Sequence, residues 1–225
     1  MERLKKTIPR IYRDTHVRGE KMKMYSYVIP RDYGFAPNPY FGYCTLATCK
    51  PRIRQSAQVG DWVAAFGAAN TSVRGCLVVL MQVGEILTFD EYWEDVRFVY
   101  KKPVFNKGIK FMYGDNIYHN TNNGWMQEPS HHSMPDGSIN YVNLERDTQA
   151  DSVLIATEFY YFGNNAIFVP PEFDKLIGKG RNHMICRDEH LISEFIHYVS
   201  SNYSRGINGV PNSRKIGQFA HYRGE

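Results

Sequence analysis

The sequence predicts an α+β fold, and three observations support this prediction. Aromatic residues make up 14% of the 225-residue chain, including 16 tyrosines and 13 phenylalanines, and tyrosine is typical of strands and of half-exposed clefts. Several segments show the alternation or the β-branched composition of strands, beginning with residues 24–29. One late segment, residues 188–203, instead carries its apolar residues at helical spacing.

Strands and turns alternate through the first part of the chain. The clustered Gly and Pro of residues 31–39 exclude regular structure there. The apolar run that begins at Gly75 is too β-branched for a helix, so it is predicted as a strand with a bend at Gly84. The predicted elements are strand Met24–Ile29, irregular loop Arg31–Pro39, either a short helix or a strand within Tyr43–Ile53, a turn at Gln58–Asp61, strand Trp62–Gly67, a hairpin loop at Ala68–Ser72, strand Gly75–Leu87 and a short helix at Phe89–Asp95.

The second part begins with residues 97–150, which are rich in Asn, Gly, His and Tyr. Their apolar residues are too few for a core of their own, so we expect an irregular insertion with short strands, of a kind that often binds ligands. The elements predicted after it are strand Asp151–Phe162, its continuation Ala166–Val169 beyond a turn, a short helix at Pro170–Ile177, and helix Asp188–Tyr203 with Asp188 as N-cap.

Basic residues are concentrated at the N-terminus. The chain has a formal net charge of +4, and residues 1–23 hold eight basic residues against three acidic ones. Such an arm either contacts a polyanion or is a poorly ordered solubilising tail. The predicted organisation is a basic arm over residues 1–23, one domain over residues 24–210 that includes the 97–150 insertion, and a tail over residues 211–225.

The four cysteines show no metal-binding or disulfide pattern. Cys44, Cys49, Cys76 and Cys186 lack CxxC spacing and a second ligand pair, so neither a metal nor another cofactor is expected. The sequence shows no signal peptide and no run of about 18 apolar residues. Together with reduced thiols, this predicts a cytoplasmic protein without membrane contact.

The loop after the first strand is the best candidate for a binding site. Structural loops normally hold small polar residues, whereas this loop carries rings, amides and charges that recognise flat polar molecules. The predicted ligand-binding residues are Arg31, Asp32, Tyr33, Phe35, Asn38, Tyr40, Tyr43, Thr45, Thr48, Lys50 and Trp125. Secondary candidates are His131, His132, Asn164, Lys179 and Arg181, the last two in a basic glycine loop suited to a phosphate.

The order of strand, aromatic loop, basic stretch, Gly60-Asp61-Trp62 turn and later Val83-Gly84-Glu85 resembles the PUA-like superfamily, which includes the EVE, ASCH and YTH domains. More narrowly, YSYVIPRDYGFAPNPYFGYCTLATCKPRIR at residues 25–54 is similar to the opening of the second family of nucleotide modification associated domains. The resemblance implies a PUA-like mixed β-barrel with flanking helices, whose mouth holds a flipped and often modified base. It also implies a link to DNA modification or to defence against phages and mobile elements.

Two functions of different classes fit these residues. The first is a binding module for a nucleotide or for a modified base of nucleic acid, since the chain has no Walker loop, GxSxG or deaminase motif. The second is a nucleotide- or base-modifying enzyme in which Cys49 is the nucleophile or Asp32 the general base, with His131 or His132 as proton carrier. The expected partners are a nucleic acid or nucleotide and other proteins of a modification or defence system.

Overall fold

The computed structural model describes residues 21–178, 180 and 182–213, so most of the predicted arm and tail lie outside the described residues. The strands are β1 Met24–Ile29, β2 Cys44–Leu46, β3 Trp62–Gly67, β4 Leu77–Gln82, β5 Glu85–Leu87, β6 Tyr118–Thr121, β7 Gly124–Gln127, β8 Val153–Ala156, β9 Phe159–Tyr161, β10 Met184–Cys186 and β11 Gly206–Ile207. The α-helices are α1 Pro51–Ser56, α2 Phe89–Glu94, α3 Ile109–Met112, α4 Tyr141–Asp147 and α5 Glu189–Asn202, and 3-10 helices span Val96–Lys101, Gly163–Asn165 and Pro171–Leu176.

The strands of the described residues form two sheets and a separate hairpin. The larger sheet has the order β10-β1-β3-β4-β9-β11, in which β1 and β3 are parallel. The smaller sheet has the order β2-β8-β5 with antiparallel pairs, and β6 pairs with β7. Strands and a few helices are thus combined in one molecule, which confirms the predicted α+β class.

The closed barrel implied by the resemblance is wrong for the part of the chain that the structure describes. The larger sheet ends at β10 on one side and at β11 on the other. Nor does the run from Gly75 form one bent strand, because β4 belongs to the larger sheet and β5 to the smaller one. The change occurs at Gly84, whose N–H donates to the carbonyl of Ile155 in β8 at 2.8 Å. The predicted strand 151–162 divides in the same way into β8 and β9, so two runs pass from sheet to sheet without closing a barrel.

Local hydrogen bonds explain where several predicted elements begin. Asp61 closes the turn before β3, since its N–H donates to the Gln58 carbonyl at 3.0 Å and its carboxylate accepts from the Gln58 N–H at 3.0 Å. Asp188 is the N-cap of α5, as predicted, and accepts from the Leu191 N–H at 3.1 Å. The undecided segment 43–53 contains both alternatives, a strand (β2) followed by a helix that begins at a proline (α1). The predicted continuation over residues 166–169 is wrong, because Ile167 forms only an isolated bridge to β4.

Apolar side chains cover both faces of the larger sheet. On one face, α5 packs through the buried residues Ile192, Phe195 and Val199. On the other face, Tyr25, Tyr27 and their neighbours pack against the smaller sheet. None of the described helices is long and apolar enough to cross a membrane.

Residues 97–150, the predicted insertion, contribute to a third hydrophobic layer together with the aromatic loop. Phe98, Tyr118 and Leu144 of the insertion are buried in one cluster with Tyr33 and Phe35 of the loop. Because a single layer holds both segments, the loop histidines of the insertion are brought beside the aromatic loop. This packing positions the candidate site.

Candidate active site

A cavity of about 290 Å³ opens where β1 ends against the insertion. Its volume is close to the lower end of small-molecule pockets, roughly 300–1,000 Å³. Apolar and aromatic groups form much of the wall, and a thiol, imidazoles and cations are set among them. The lining residues are Tyr27, Val28, Ile29, Pro30, Arg31, Tyr33, Phe35, Ala36, Cys49, Lys50, His131, His132 and Arg146.

Cys49 lies in a strained turn between β2 and α1. Its φ is +59° and that of Lys50 is +42°, so two consecutive non-glycine residues occupy the left-handed region. Each such residue costs roughly 1–2 kcal/mol and persists only where other contacts fix it. The Cys49 N–H donates to Asp147 Oδ1 at 2.9 Å, and the Cys49 carbonyl accepts from Arg54 Nε at 2.9 Å. Contacts on both sides of the residue therefore hold the thiol in the cavity wall.

Cys49, His132 and Asp147 form a chain of contacts. Cys49 Sγ lies 3.7 Å from His132 Nε2, and His132 Nδ1 lies 2.9 Å from Asp147 Oδ2. Because an ionised carboxylate only accepts hydrogen bonds, Nδ1 is assigned the proton of that contact and Nε2 faces the sulfur. This is the order of nucleophile, base and orienting carboxylate that recurs in nucleophilic catalysis on unrelated folds.

Asp147 is held as a charged orienting group. Its Oδ1 accepts from the Cys49 N–H and from Arg146 Nε, and its Oδ2 accepts from His132 Nδ1 and the Tyr118 hydroxyl, all between 2.9 and 3.0 Å. Burial alone would raise the pKa of the carboxyl, but the charges and hydrogen bonds of His132 and Arg146 hold that pKa well below its usual range. The carboxylate therefore stays ionised at neutral pH.

The thiol and the imidazole shift each other's pKa towards their charged forms. Burial acts to raise the pKa of the Cys49 thiol, but the charge and hydrogen bond of His132 outweigh it and lower the pKa below its ordinary value. For His132, burial acts to lower the pKa, whereas the Cys49 thiolate and the Asp147 carboxylate raise it to about 9. Both shifts favour a proton on the imidazole and a thiolate at the sulfur, which is the nucleophilic form of cysteine.

The same three side chains have the spacing of metal ligands, with donor atoms within 4.8 Å of one another. A metal ion needs lone pairs that point at a common centre. Asp147 has few to offer, because its two oxygens already accept four hydrogen bonds. Cys49 Sγ and His132 Nε2 would then be two ligands, fewer than the three protein ligands of a catalytic zinc. The geometry fits a proton relay better than a metal centre.

Rings surround the space beside the thiol. The His131 ring lies 4.8 Å from that of Tyr33 and 5.2 Å from that of Phe35, between centroids. Phe35 also lies edge-on to His132 at 4.6 Å. Such a group of π-faces and edges can stack on a flat heterocycle.

Positive charge borders the same cavity. Arg31, Lys50 and Arg146 line it, and none of the lining residues is acidic. The Lys50 ammonium lies 4.6 Å from the centroid of the Tyr27 ring, and burial lowers the pKa of this lysine. A wall of this charge favours an anionic ligand such as a phosphate ester.

Arg54 joins the turn of the thiol to the segment of the carboxylate. Its side chain is buried, and Nε donates to the Cys49 carbonyl at 2.9 Å. Nη1 donates to the carbonyls of Ala150 and Ser152, each at 2.7 Å, and Nη2 donates to the carbonyl of Asp147. One guanidinium thereby fixes the distance between two parts of the site that are far apart in sequence.

The structure brings part of the predicted binding set together at the cavity, along with the alternative nucleophile Cys49. The predicted residues that line it are Arg31, Tyr33, Phe35, Lys50, His131 and His132.

Three other predicted residues belong to a buried polar network beside the site. Lys101 Nζ donates to the carbonyl and to Oδ1 of Asn38 at 2.8 Å each, to the Tyr43 carbonyl at 2.8 Å and to the Thr45 hydroxyl at 3.0 Å. The Thr45 hydroxyl in turn donates to Asp115 Oδ2 at 2.6 Å. The polar groups of this network are directed at protein partners and hold the loop in shape.

The rest of the predicted set lies away from the cavity or outside the described residues. Asp32, the alternative general base, is buried, and its carboxylate accepts from the Tyr161 hydroxyl at 2.7 Å and from the Gly34 N–H at 2.9 Å. The other positions are Tyr40 in a neighbouring hollow, Thr48 in the protein interior, Trp125 edge-on to Phe89, Asn164 bonded to the Val210 N–H, and Lys179 and Arg181 outside the described residues.

Sequence reasoning missed Asp147, Tyr118 and Arg54. Asp147 is separated from Cys49 by 98 positions, and no motif connects the two. The usable signal was the presence of Cys, His and Asp in that order along the chain, which many unrelated proteins share. Only the packed insertion shows that these side chains meet.

Residues 21–218 match the model of a family described as nucleotide modification associated domain 2. The match covers most of the 225 residues, so the chain belongs to this family. The family suggested by residues 25–54 is thereby confirmed. No curated protein and no solved structure matched the chain.

Proposed function

Since its family is linked to nucleotide modification, we propose that this protein is a thiol-dependent enzyme that acts on a nucleotide or on a base of a nucleic acid. The observation that carries the proposal is the chain of contacts from Cys49 through His132 to Asp147 in the wall of an aromatic, cationic cavity. A lowered thiol pKa beside a charged imidazole supports a nucleophilic role.

In the proposed reaction, the Cys49 thiolate adds to an electrophilic carbon of the bound base. A bond forms between Sγ and that carbon, and the electron pair displaced from the carbon's double bond moves to the neighbouring atom. His132 Nε2, at 3.7 Å from the sulfur, gives its proton to that atom, and Asp147 keeps the ring oriented. The electron pair then returns and expels a substituent of the same carbon, which leaves with that proton. Water adds to the carbon in its place and gives a proton to the now neutral His132, and the sulfur leaves as thiolate, so that the net reaction is hydrolytic replacement of the substituent by a hydroxyl group.

The cavity wall supplies the binding groups for this reaction. Tyr33, Phe35 and His131 offer the stacking surface for the base. Arg31 and Lys50 offer charge to the phosphate. The groups expected to bind a nucleotide and the thiol proposed to react with it thus line the same cavity.

The experiment is incubation with canonical and modified nucleotides and oligonucleotides, followed by intact-protein and product mass spectrometry. The wild type should give a product or a protein adduct, and Cys49→Ala should give neither. Cys76→Ser is the matched control, because Cys76 is a free and partly exposed thiol that does not line the cavity. Saturable binding without product or adduct, together with an unreactive Cys49, would overturn the proposal.

A binding module for a modified base is the second candidate, and the rings around the cavity favour it. With this function Tyr33→Ala weakens binding by about 1–3 kcal/mol, the range for loss of base stacking. Cys49→Ala leaves the affinity unchanged, because no covalent step occurs. Fluorescence titration of both variants tests this binding, and the absence of any product or adduct from the wild type separates this function from the enzyme.

The resemblance also supports two further proposals, one on ancestry and one on partner proteins. We propose a PUA-like ancestry, supported by residues 60–62 and 83–85, and a role beside the proteins of a DNA modification or defence system. Co-purification of the full chain with proteins encoded by neighbouring genes tests the second of these, and an absence of any stable complex would argue against it.

A further inference from the structure

Phe41, Tyr100 and Phe111 form a partly exposed cluster outside the cavity, here called the ring patch. The centroid of Phe41 lies 4.9 Å from that of Phe111 and 5.7 Å from that of Tyr100, and Tyr100 is 60% exposed. Phe41 has a φ of +61°, a conformation that is unfavourable for a non-glycine residue. Aromatic rings grouped at the surface in this way indicate a binding surface.

The charge around the ring patch is of one sign. Lys110 Nζ lies 5.7 Å from the centroid of Phe41 and 5.4 Å from that of Phe111, and Lys107 Nζ lies 5.9 Å from that of Phe111. Residues 99–113 contain no acidic residue, and Lys107 and Lys110 are exposed. This surface is complementary to a polyanion.

A second hollow of about 210 Å³ is lined in part by Tyr40, Lys110 and Tyr113, and so shares Lys110 with the surroundings of the ring patch. The Tyr40 ring is 6.3 Å from that of Phe41. The Tyr113 ring stacks at 5.4 Å on that of Tyr33, which lines the cavity. Aromatic groups therefore continue from the patch to the cavity.

We propose that the ring patch binds single-stranded nucleic acid and directs it into the Cys49 cavity. The substrate is then a base within a strand, an inference that rests on the proposed function for the role of the cavity. Rings interleaved with lysines are the recognition mode of single strands, because each unpaired base offers a face for stacking. A duplex hides those faces, and an acidic peptide would use the lysines without the rings.

The test is fluorescence anisotropy of the full chain with labelled single-stranded DNA and RNA of about 15 nucleotides, within the usual site sizes. Tyr100→Ala and Phe111→Leu remove stacking, and the leucine keeps apolar packing. Each should raise the Kd by about 5- to 150-fold. Phe168→Ala is the matched control, because Phe168 is 74% exposed and lies outside the patch.

The lysines are tested by salt dependence. Lys107→Gln and Lys110→Gln should each reduce the slope of log affinity against log salt by about 0.7, the value for one phosphate contact with a single strand. Lys175→Gln, at another exposed lysine, should leave the slope unchanged. DNA and RNA strands are compared directly, so the result also states which of them binds better.

Ring variants that bind like Phe168→Ala would overturn the inference. So would polyglutamate or duplex DNA that binds as tightly as the single strand and depends on the lysines alone. Strand binding and the reactivity of Cys49 are measured in separate assays on the full wild-type chain, which separates this test from that of the proposed function. A reactive Cys49 without strand binding overturns only the inference about the ring patch. Strand binding that depends on the rings, together with an unreactive Cys49, overturns only the proposed enzyme function.

Discussion

The contact between Cys49 and His132, which lowers the pKa of the thiol, predicts that the reactivity of Cys49 depends on His132. At the 3.7 Å between Sγ and Nε2, two unit charges attract by about 4–5 kcal/mol at an effective dielectric constant of about 20. His132→Gln removes this attraction, while the burial that disfavours a thiolate remains. An ordinary thiol is only a few per cent thiolate at pH 7, so alkylation of Cys49 at pH 7 should slow by about tenfold or more in the variant.

The assay is alkylation by iodoacetamide between pH 5 and 9, quenched at intervals and mapped by peptide mass spectrometry. Cys76 is the internal reference, because burial raises its pKa whereas that of Cys49 is lowered. His119→Gln is the control variant, since His119 contacts Glu128 and does not line the cavity. Equal rates for the two cysteines at pH 7, or an unchanged rate in His132→Gln, would refute the coupling between Cys49 and His132.

Other substitutions test how the site is held and titrated. In Cys49→Ser the thiolate no longer raises the pKa of His132. The fall of the His132 contribution to the free energy of unfolding, which in the wild type extends from about pH 6.5 to about 9, should therefore end at a lower pH. In the wild type the lowered pKa of Cys49 acts in the opposite direction and offsets this fall. Urea unfolding of the wild type and of Cys49→Ser at about pH 6.5 and about pH 9 measures how the free energy of unfolding changes in each protein. Arg54→Met removes the donor of buried carbonyls and should cost about 3–5 kcal/mol, whereas Arg52→Met, at an exposed position of the same helix, should cost under about 0.5 kcal/mol. Lys101→Met leaves the buried carboxylate of Asp115 without its neighbouring cation and should also lower the free energy of unfolding by about 3–5 kcal/mol. A stability near that of the wild type would contradict this prediction.

The fold was predictable where local signals bound an element. Met24–Ile29 and Trp62–Gly67 are strands with the predicted limits, because a proline ends the first and a turn begins the second. The short strands β10 and β11 were missed, since their two or three residues become strands only by pairing with β1 and β9. The division of the run from Gly75 between two sheets depends likewise on a partner strand, which no local pattern shows.

The site was predictable to the extent that its residues are close in sequence. Tyr33 and Phe35 were chosen because rings are dense in their loop, and they do line the cavity. The composition of the loop also predicts Asn38 and Thr45 as binding residues, but their polar groups meet a buried lysine more than fifty positions away. Composition gives the kind of residue in a loop, but the direction of each side chain depends on distant partners such as Asp147.

Cys44 and Cys49 provide an internal comparison that favours the enzyme over the binding module. Cys44 is fully buried in the regular strand β2, and burial raises the pKa of its thiol to about 12. Five positions later Cys49 has a left-handed backbone, a histidine at its sulfur and a carboxylate behind that histidine. A pocket that only binds a base gains nothing from a thiolate, and unfavourable backbone conformations persist where the surrounding structure maintains them for function. The difference between the two cysteines is therefore best explained by chemistry at Cys49.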